Sequence, residues 1–167
     1  NHLYPEKLGK ALVDNGYALL GVPEEYGGTP CDVLTQIMFI EEIGKAGAPW
    51  NNFSNTVMVD DILTFGNEKQ KAITIEYARQ GKLPFSLGIT EPQAGSDDSA
   101  IVATATRKNG KVYINGHKTF TSNADRCPYI LCLTRDLDNP NPRQAVSMWM
   151  VPTNAPGVKL EPLDKIG

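Results

Sequence analysis

The sequence has 167 residues, 41% hydrophobic and 21% charged, a composition typical of a globular protein with one domain or two small ones. Its formal net charge of -3 and scattered basic residues argue against a nucleic-acid-binding protein, because phosphate binding depends on clustered Lys and Arg. The apolar stretches fall far short of the roughly 20 residues that a membrane-spanning helix needs, so no span is predicted.

Apolar residues recur at helical spacing in residues 1–82, which predicts a helical N-terminal domain. Asp32 is predicted to cap the second helix, and in the fourth helix Ile73, Ile75 and Tyr77 are expected to face inward. The four predicted helices cover residues 5–15, 32 to 44 or 47, about 52–65, and the segment from just after Asn67 to Gly81.

After Leu83 the apolar period shortens to two and β-branched residues become frequent, which predicts a β domain over residues 83–167. The predicted strands cover residues 102–107, 111–115, 129–134, 145–151 and 158–163, with an exposed loop over 136–143. Asn109 and Gly110 predict a two-residue hairpin turn. Helices followed by strands indicate an α+β fold and not a doubly wound sheet.

The cysteines do not suggest a metal site. Cys31, Cys127 and Cys132 lack CxxC spacing, and only His2 and His117 are available to join them as ligands. A zinc site needs about four well-spaced ligands, so no metal is predicted. Reduced, structural cysteines favour a cytoplasmic protein.

The densest run of small and polar residues extends from Gly88 to Asp98. Its glycines allow a ligand to approach the main chain, and the hydroxyls of Thr90 and Ser96 can donate to ligand oxygens. Backbone N–H groups in such a loop form a concavity suited to a pyrophosphate. The same residue types also form solvated turns without a ligand, and composition alone favours the turn.

A second hydroxyl-rich cluster runs from Gly116 to Asn123. Phe120 is suited to lie against a flat ring, with Thr119, Thr121 and Ser122 as hydrogen-bond donors around it. An ordinary strand is the alternative, because Thr and Phe suit a pleated surface. The sequence contains no GxGxxG, phosphate-loop or GxSxG motif, and His117 is interpreted as a surface residue.

Taken together and in this order, the two clusters resemble the acyl-CoA dehydrogenase family. Residues 89–97 resemble its TEPxAGSD signature, and residues 113–118 resemble the segment that follows it. Residues 22–28 and 155–159 also fall where the family has similar stretches, so the resemblance covers essentially the whole chain. Motifs found in register are much more specific than any one of them.

The resemblance implies a helical N-terminal domain that lacks its first helix, followed by an antiparallel, β-barrel-like domain that holds FAD. The implied cofactor-binding residues are Leu87, Ile89, Thr90, Gly95, Ser96, Phe120, Thr121 and Ser122. Ser96 is also expected near the acyl-CoA substrate. Phe120 replaces a usual tryptophan and Ser122 a usual threonine, while Thr121 departs from isoleucine and Gln93 from the commoner glycine.

In this family a carboxylate removes the α-proton of an acyl thioester while the β-hydrogen leaves as hydride to flavin, or the reverse reaction reduces an enoyl-CoA. The resemblance places that carboxylate in a C-terminal helical domain beyond Gly167. No residue of this chain is therefore expected to be catalytic, and Glu91 is expected to be structural. Alone, the chain is expected to bind FAD poorly and to turn over no substrate.

The resemblance also implies electron transfer flavoprotein as the redox partner and a homotetramer. Residues 23–28 and 41–49 look most like the crotonobetainyl-CoA reductase branch. Two alternatives remain open: an acyl-CoA oxidase or flavin hydroxylase of the same fold, and a non-catalytic homologue that serves as an interaction module.

Overall fold

The structure is a computed structural model that describes residues 6–48, 56–82, 84–137, 139–141 and 144–163. The chain divides into two compact units, Asn1–Pro84 and Phe85–Gly167. The first unit is helical and the second contains a five-stranded sheet, so the predicted α+β class is confirmed. The predicted start of the third helix, residues 52–55, lies outside the described residues.

The described part of the first unit contains four α-helices, and two of them begin at side-chain caps that the sequence supplies. Their bounds are α1 Glu6–Asp14, α2 Val33–Lys45, α3 Thr56–Phe65 and α4 Glu68–Arg79. Asp32 caps α2 by accepting a hydrogen bond from the Thr35 N–H at 2.7 Å, which confirms its predicted role. Asn67 caps α4 in a capping box with Gln70.

The core of the first unit is a cluster of buried apolar residues between these helices. Its members are Leu19, Val22, Val59, Ile75 and Ala78, with Tyr26 and Leu63 packed against them. Of the three α4 residues expected to face inward, only Ile75 is fully buried, whereas Ile73 and Tyr77 are half-buried. Residues two positions apart lie on opposite sides of a helix, so Ile73 and Ile75 cannot share the core face.

The sheet of the second unit is built around one central strand. The strands are β1 Phe85–Gly88, β2 Thr104–Lys108, β3 Lys111–Asn115, β4 Tyr129–Arg135 and β5 Val146–Pro152. One edge of β4 pairs antiparallel with β5 along its full length. The other edge pairs in parallel first with β1 and then, at Arg135, with Thr104 of β2.

The observed sheet differs from the sequence predictions in three respects. The sheet is open and contains parallel pairings, so it is not the antiparallel, barrel-like arrangement that was expected. Residues 158–163, all of which are described, form no strand, whereas β1 was not predicted from the residue pattern. The predicted hairpin between β2 and β3 is present, with Asn109 at φ 52° and Gly110 at φ 72° as its left-handed turn residues.

The cysteines of the second unit are part of its interior. Cys127 and Cys132 are buried and free, and burial raises the pKa of the Cys127 thiol to about 12. Such a thiol is unreactive, which agrees with the predicted structural role.

In the described part of the chain no helix is long and apolar enough to cross a membrane, and no group of three or more His, Cys, Asp or Glu side chains is placed to hold a metal ion.

Candidate cofactor site

The first predicted segment, residues 88–98, continues directly from β1 and is called the Thr90 loop below. Its tight turn is closed by two backbone hydrogen bonds, from Glu91 N–H to Ala94 O at 2.8 Å and from Ala94 N–H to Glu91 O at 3.1 Å. At its end the Asp97 carboxylate accepts a hydrogen bond from the Ser99 N–H at 3.0 Å. The loop is therefore fixed in part by its own hydrogen bonds.

The second segment, residues 116–123, follows β3 and is called the Phe120 segment below. It is irregular, so the alternative of an ordinary strand is wrong, although His117 is exposed as interpreted from the sequence. Phe120 has φ 56°, a left-handed conformation that costs a residue with a Cβ about 1–2 kcal/mol. Its side chain is 67% exposed. A strained backbone thus presents an aromatic ring that packs little against the described residues.

The two segments are in direct contact. The Thr119 N–H donates to Thr90 O at 2.8 Å, and the Lys118 ammonium donates to Ile89 O at 2.9 Å. Ile89 and Thr90 therefore lie beside the segment that carries Phe120, Thr121 and Ser122. Non-local hydrogen bonds, and not proximity along the chain, bring these predicted residues together.

The remaining predicted residues are exposed. Leu87 on β1 is 39% exposed, and Gly95, Ser96 and Ser122 are also exposed. No hydrogen bond among the described residues joins Gly95 or Ser96 to the Phe120 segment. A Cβ at Gly95 would have no described atom within 4 Å, so its main chain is open to a ligand.

Glu91 is the centre of the hydrogen bonding that fixes the Thr90 loop. Its side chain is 1% exposed and its carboxylate accepts four hydrogen bonds. The donors are Lys118 Nζ at 2.8 Å, Ala103 N–H at 3.0 Å, Val102 N–H at 2.7 Å and Gln93 Nε2 at 2.6 Å. Burial alone would raise the pKa of Glu91, but the hydrogen bond from Lys118 and those from the other donors outweigh it and lower the pKa to about 2.

Sequence reasoning missed two cationic residues that hold this region. Lys118 is 10% exposed at its side chain and forms the ion pair with Glu91. Arg135, at the end of β4, donates from Nε to Ile101 O at 3.0 Å and from its guanidinium to Ser99 O. Neither role can be read from the local pattern, because the partners lie 27 to 36 positions away in the chain.

The sequence families that match the chain cover both of its units. The family described as "Acyl-CoA dehydrogenase, N-terminal domain" matches residues 1–82, and that described as "Acyl-CoA dehydrogenase, middle domain" matches residues 86–167. The chain belongs to the acyl-CoA dehydrogenase family. The family resemblance inferred from the motifs is thereby confirmed.

Among its curated relatives is the probable acyl-CoA dehydrogenase YdiO of Escherichia coli (strain K12). The two are 44% identical over 168 residues, which cover 100% of this chain and 44% of YdiO. This acyl-CoA dehydrogenase chain therefore spans less than half the length of the curated relatives it matches.

Two solved structures have a similar fold. The Tcur3481-Tcur3483 steroid ACAD superimposes with a TM-score of 0.82 at 30% identity, over 91% of this chain and 40% of that one. The FAD complex of PigA superimposes with a TM-score of 0.75 at 28% identity, over 91% of this chain and 41% of the other.

The site has the features needed to accept FAD. Among the described residues, the buried hydroxyls of Thr119 and Thr121 have no hydrogen-bond partner. A buried hydroxyl without a partner costs about 1–3 kcal/mol, so a polar-edged ligand that bonds to it would be stabilised. With the exposed Phe120 ring and the open main chain at Gly95, the two threonine hydroxyls suit a flat ring system joined to a pyrophosphate.

Proposed function

We propose that this chain supplies the FAD-binding part of an acyl-CoA dehydrogenase that dehydrogenates an acyl-CoA thioester at its α and β carbons or reduces the corresponding enoyl-CoA. The observation that carries the proposal is the contact between the Thr90 loop and the Phe120 segment, made by the Thr119 N–H and Thr90 O at 2.8 Å. Family membership and the fold shared with an FAD complex support it.

The proposed cofactor contacts come from both segments. The Thr90 hydroxyl and the main chain at Ile89 would bond the pyrimidine side of the flavin, and Ser122 would donate near its reactive nitrogen. The Phe120 ring would cover the flavin plane. Gly95 and Ser96 would face the phosphates, with Ser96 also near the acyl-CoA, and Leu87 and Thr121 would complete the contacts. When bound, FAD supplies the hydride chemistry, and the protein supplies orientation and electrostatics.

Glu91 is excluded as the base that removes the α-proton. Its carboxylate is buried and accepts four hydrogen bonds, so no substrate proton can reach a free lone pair. A carboxylate with a pKa of about 2 is also a weak base. We therefore propose that the base lies beyond Gly167, as the family resemblance implies.

Four finer assignments stay predictions. They are electron transfer flavoprotein as the electron acceptor, a homotetramer, a cytoplasmic location and membership of the crotonobetainyl-CoA reductase branch.

The proposal is tested on the full-length protein, meaning the product of the whole reading frame that encodes this chain. We expect it to purify with the visible absorption of bound flavin. An acyl-CoA substrate should bleach that absorption under anaerobic conditions, with an artificial dye or electron transfer flavoprotein restoring it. Rapid reoxidation by oxygen would favour the oxidase or hydroxylase alternative. A colourless protein that takes up no FAD would contradict the proposal and favour the non-catalytic homologue.

A further inference from the structure

The Glu91–Lys118 pair is an unusual arrangement for a surface loop. Its two charged groups lie 2.8 Å apart with side-chain exposures of 1% and 10%. Burial of charge is unfavourable unless the charges are paired and hydrogen-bonded, so an ordinary solvated turn would not contain such a pair. The role of the pair follows from the backbone groups that Lys118 and Glu91 contact.

Lys118 holds one particular peptide group in addition to the carboxylate. Its ammonium donates to Ile89 O at 2.9 Å, while the next residue, Thr119, donates its N–H to Thr90 O at 2.8 Å. In a planar trans peptide the carbonyl and the N–H point in opposite directions. Because the Ile89 carbonyl points toward Lys118, the Thr90 N–H of the same peptide group points away from it.

Glu91 in turn fixes the position of Lys118. The backbone N–H groups of Val102 and Ala103 bond to the carboxylate at 2.7 and 3.0 Å and tie it to the chain just before β2. Gln93, which departs from the commoner glycine, adds a fourth donor at 2.6 Å. A carboxylate held by so many donors provides a rigid anchor for the ammonium.

We propose that Lys118 and Glu91 are positioning residues of the cofactor site, which hold the Thr90 loop against the Phe120 segment and orient the Ile89–Thr90 peptide group toward the pyrimidine ring of FAD. The inference rests on the proposed function, because it requires FAD as the ligand. It assigns to Lys118 a role in cofactor geometry and not in proton transfer.

The experiment compares variants of the full-length protein after FAD has been removed. Lys118→Met deletes the bond to Ile89 O but leaves Glu91 without its cation, so its effect on folding can obscure the result. The neutral pair Glu91→Gln with Lys118→Met removes both charges, so no uncompensated charge stays buried. Because the Val102 and Ala103 N–H groups bond to different carboxylate oxygens, one of them would face the introduced amide NH2, and some loss of stability is expected. Lys111→Met, at an exposed lysine on β3, is the matched control.

We expect the neutral-pair apoprotein to melt below the parent but to stay folded at the temperature of the titration, and to bind FAD at least about tenfold more weakly, because the Ile89–Thr90 peptide group is no longer held in one orientation and about 1.4 kcal/mol of binding free energy is lost. At saturating FAD the circular dichroism of the bound flavin should also change, because the ring would sit against a differently oriented peptide. The control should match the parent in melting, affinity and spectrum.

Three results would overturn the inference. A neutral-pair variant that binds FAD as tightly as the parent, with the same flavin spectrum, would show that the pair does not position the cofactor and would leave the proposed function intact. A neutral pair that already unfolds without FAD would show a role in folding alone. A parent protein that takes up no FAD would remove the proposed function and this inference with it.

Discussion

The ionisation of the buried Glu91 carboxyl makes the stability of the chain depend on pH in the acid range. Its pKa of about 2 lies below the ordinary value of 4.5, so the ionised form stabilises the fold above about pH 4.5, and this contribution is lost as the pH falls toward 2. The shift corresponds to about 3 kcal/mol. We expect the difference in unfolding free energy between the parent and Glu91→Gln to shrink across this pH range, as measured by urea denaturation. A constant difference would contradict the assignment.

Phe120 offers a separate test of the proposal that the Phe120 segment contacts the flavin. Because its φ of 56° is left-handed and its ring is 67% exposed, Phe120→Gly relieves strain and removes little packing. The melting temperature of the apoprotein should therefore stay the same or rise, while FAD affinity falls. Phe120→Trp restores a flat ring and should retain affinity, with both affinities measured by titration with FAD followed by flavin fluorescence. If the glycine variant bound FAD as tightly as the parent, the ring would not contact the cofactor.

Gly116 and Gly95 differ in the space around them. Gly116 packs closely against a neighbouring segment, whereas the space around Gly95 is open to a ligand. A Cβ at Gly116 would lie 2.3 Å from the Cβ of Ala103, and Ala103 is fully buried. We expect Gly116→Ala to destabilise the chain by about 1–3 kcal/mol in chemical denaturation. Gly95→Ala meets no described atom within 4 Å and should leave stability unchanged. Equal stability of the two variants would contradict this distinction.

At the start of α4, the side chains of Asn67 and Gln70 form a capping box. Asn67 accepts the Gln70 N–H at 3.0 Å and the Gln70 side chain accepts the Asn67 N–H at 2.8 Å. We expect Asn67→Ala to lower the unfolding free energy by about 1 kcal/mol. Lys69→Ala, at an exposed position in the first turn, is the control and should change it little. Equal stability of the two variants would argue against the capping box.

Elements defined by local chemistry could be predicted from the sequence, and those defined by distant partners could not. Asp32, and Asn109 with Gly110, specify a cap and a turn within a few residues, and the structure contains both. By contrast, β1 has only four residues, too few for a period of two to stand out, and it pairs in parallel with β4 from Phe85 to Gly88. Such a pairing leaves no local signal.

The same distinction explains the candidate site. Thr90 and Phe120 were predicted from side-chain chemistry and the family motifs, and their roles toward FAD stay predictions. No role was predicted for Lys118, which follows the exposed His117 in the chain. Its burial follows from the packing of the Thr90 loop against the Phe120 segment, which no local pattern encodes.

For the chain taken by itself, the last prediction concerns its affinity for FAD. The chain spans 44% of its relative YdiO, and we propose that the rest of the full-length protein adds contacts to the cofactor. We expect the 167-residue chain to bind FAD at least about tenfold more weakly than the full-length protein, a difference of about 1.4 kcal/mol in binding free energy.

Titration of both proteins with FAD, followed by flavin fluorescence, measures that difference, and a dye-reduction assay with acyl-CoA measures turnover. The chain alone should show no turnover, because Glu91 is buried among four donors and the base is proposed to lie beyond Gly167. A yellow, active preparation of the 167 residues would show that the described surface is sufficient and that a carboxylate of this chain removes the proton.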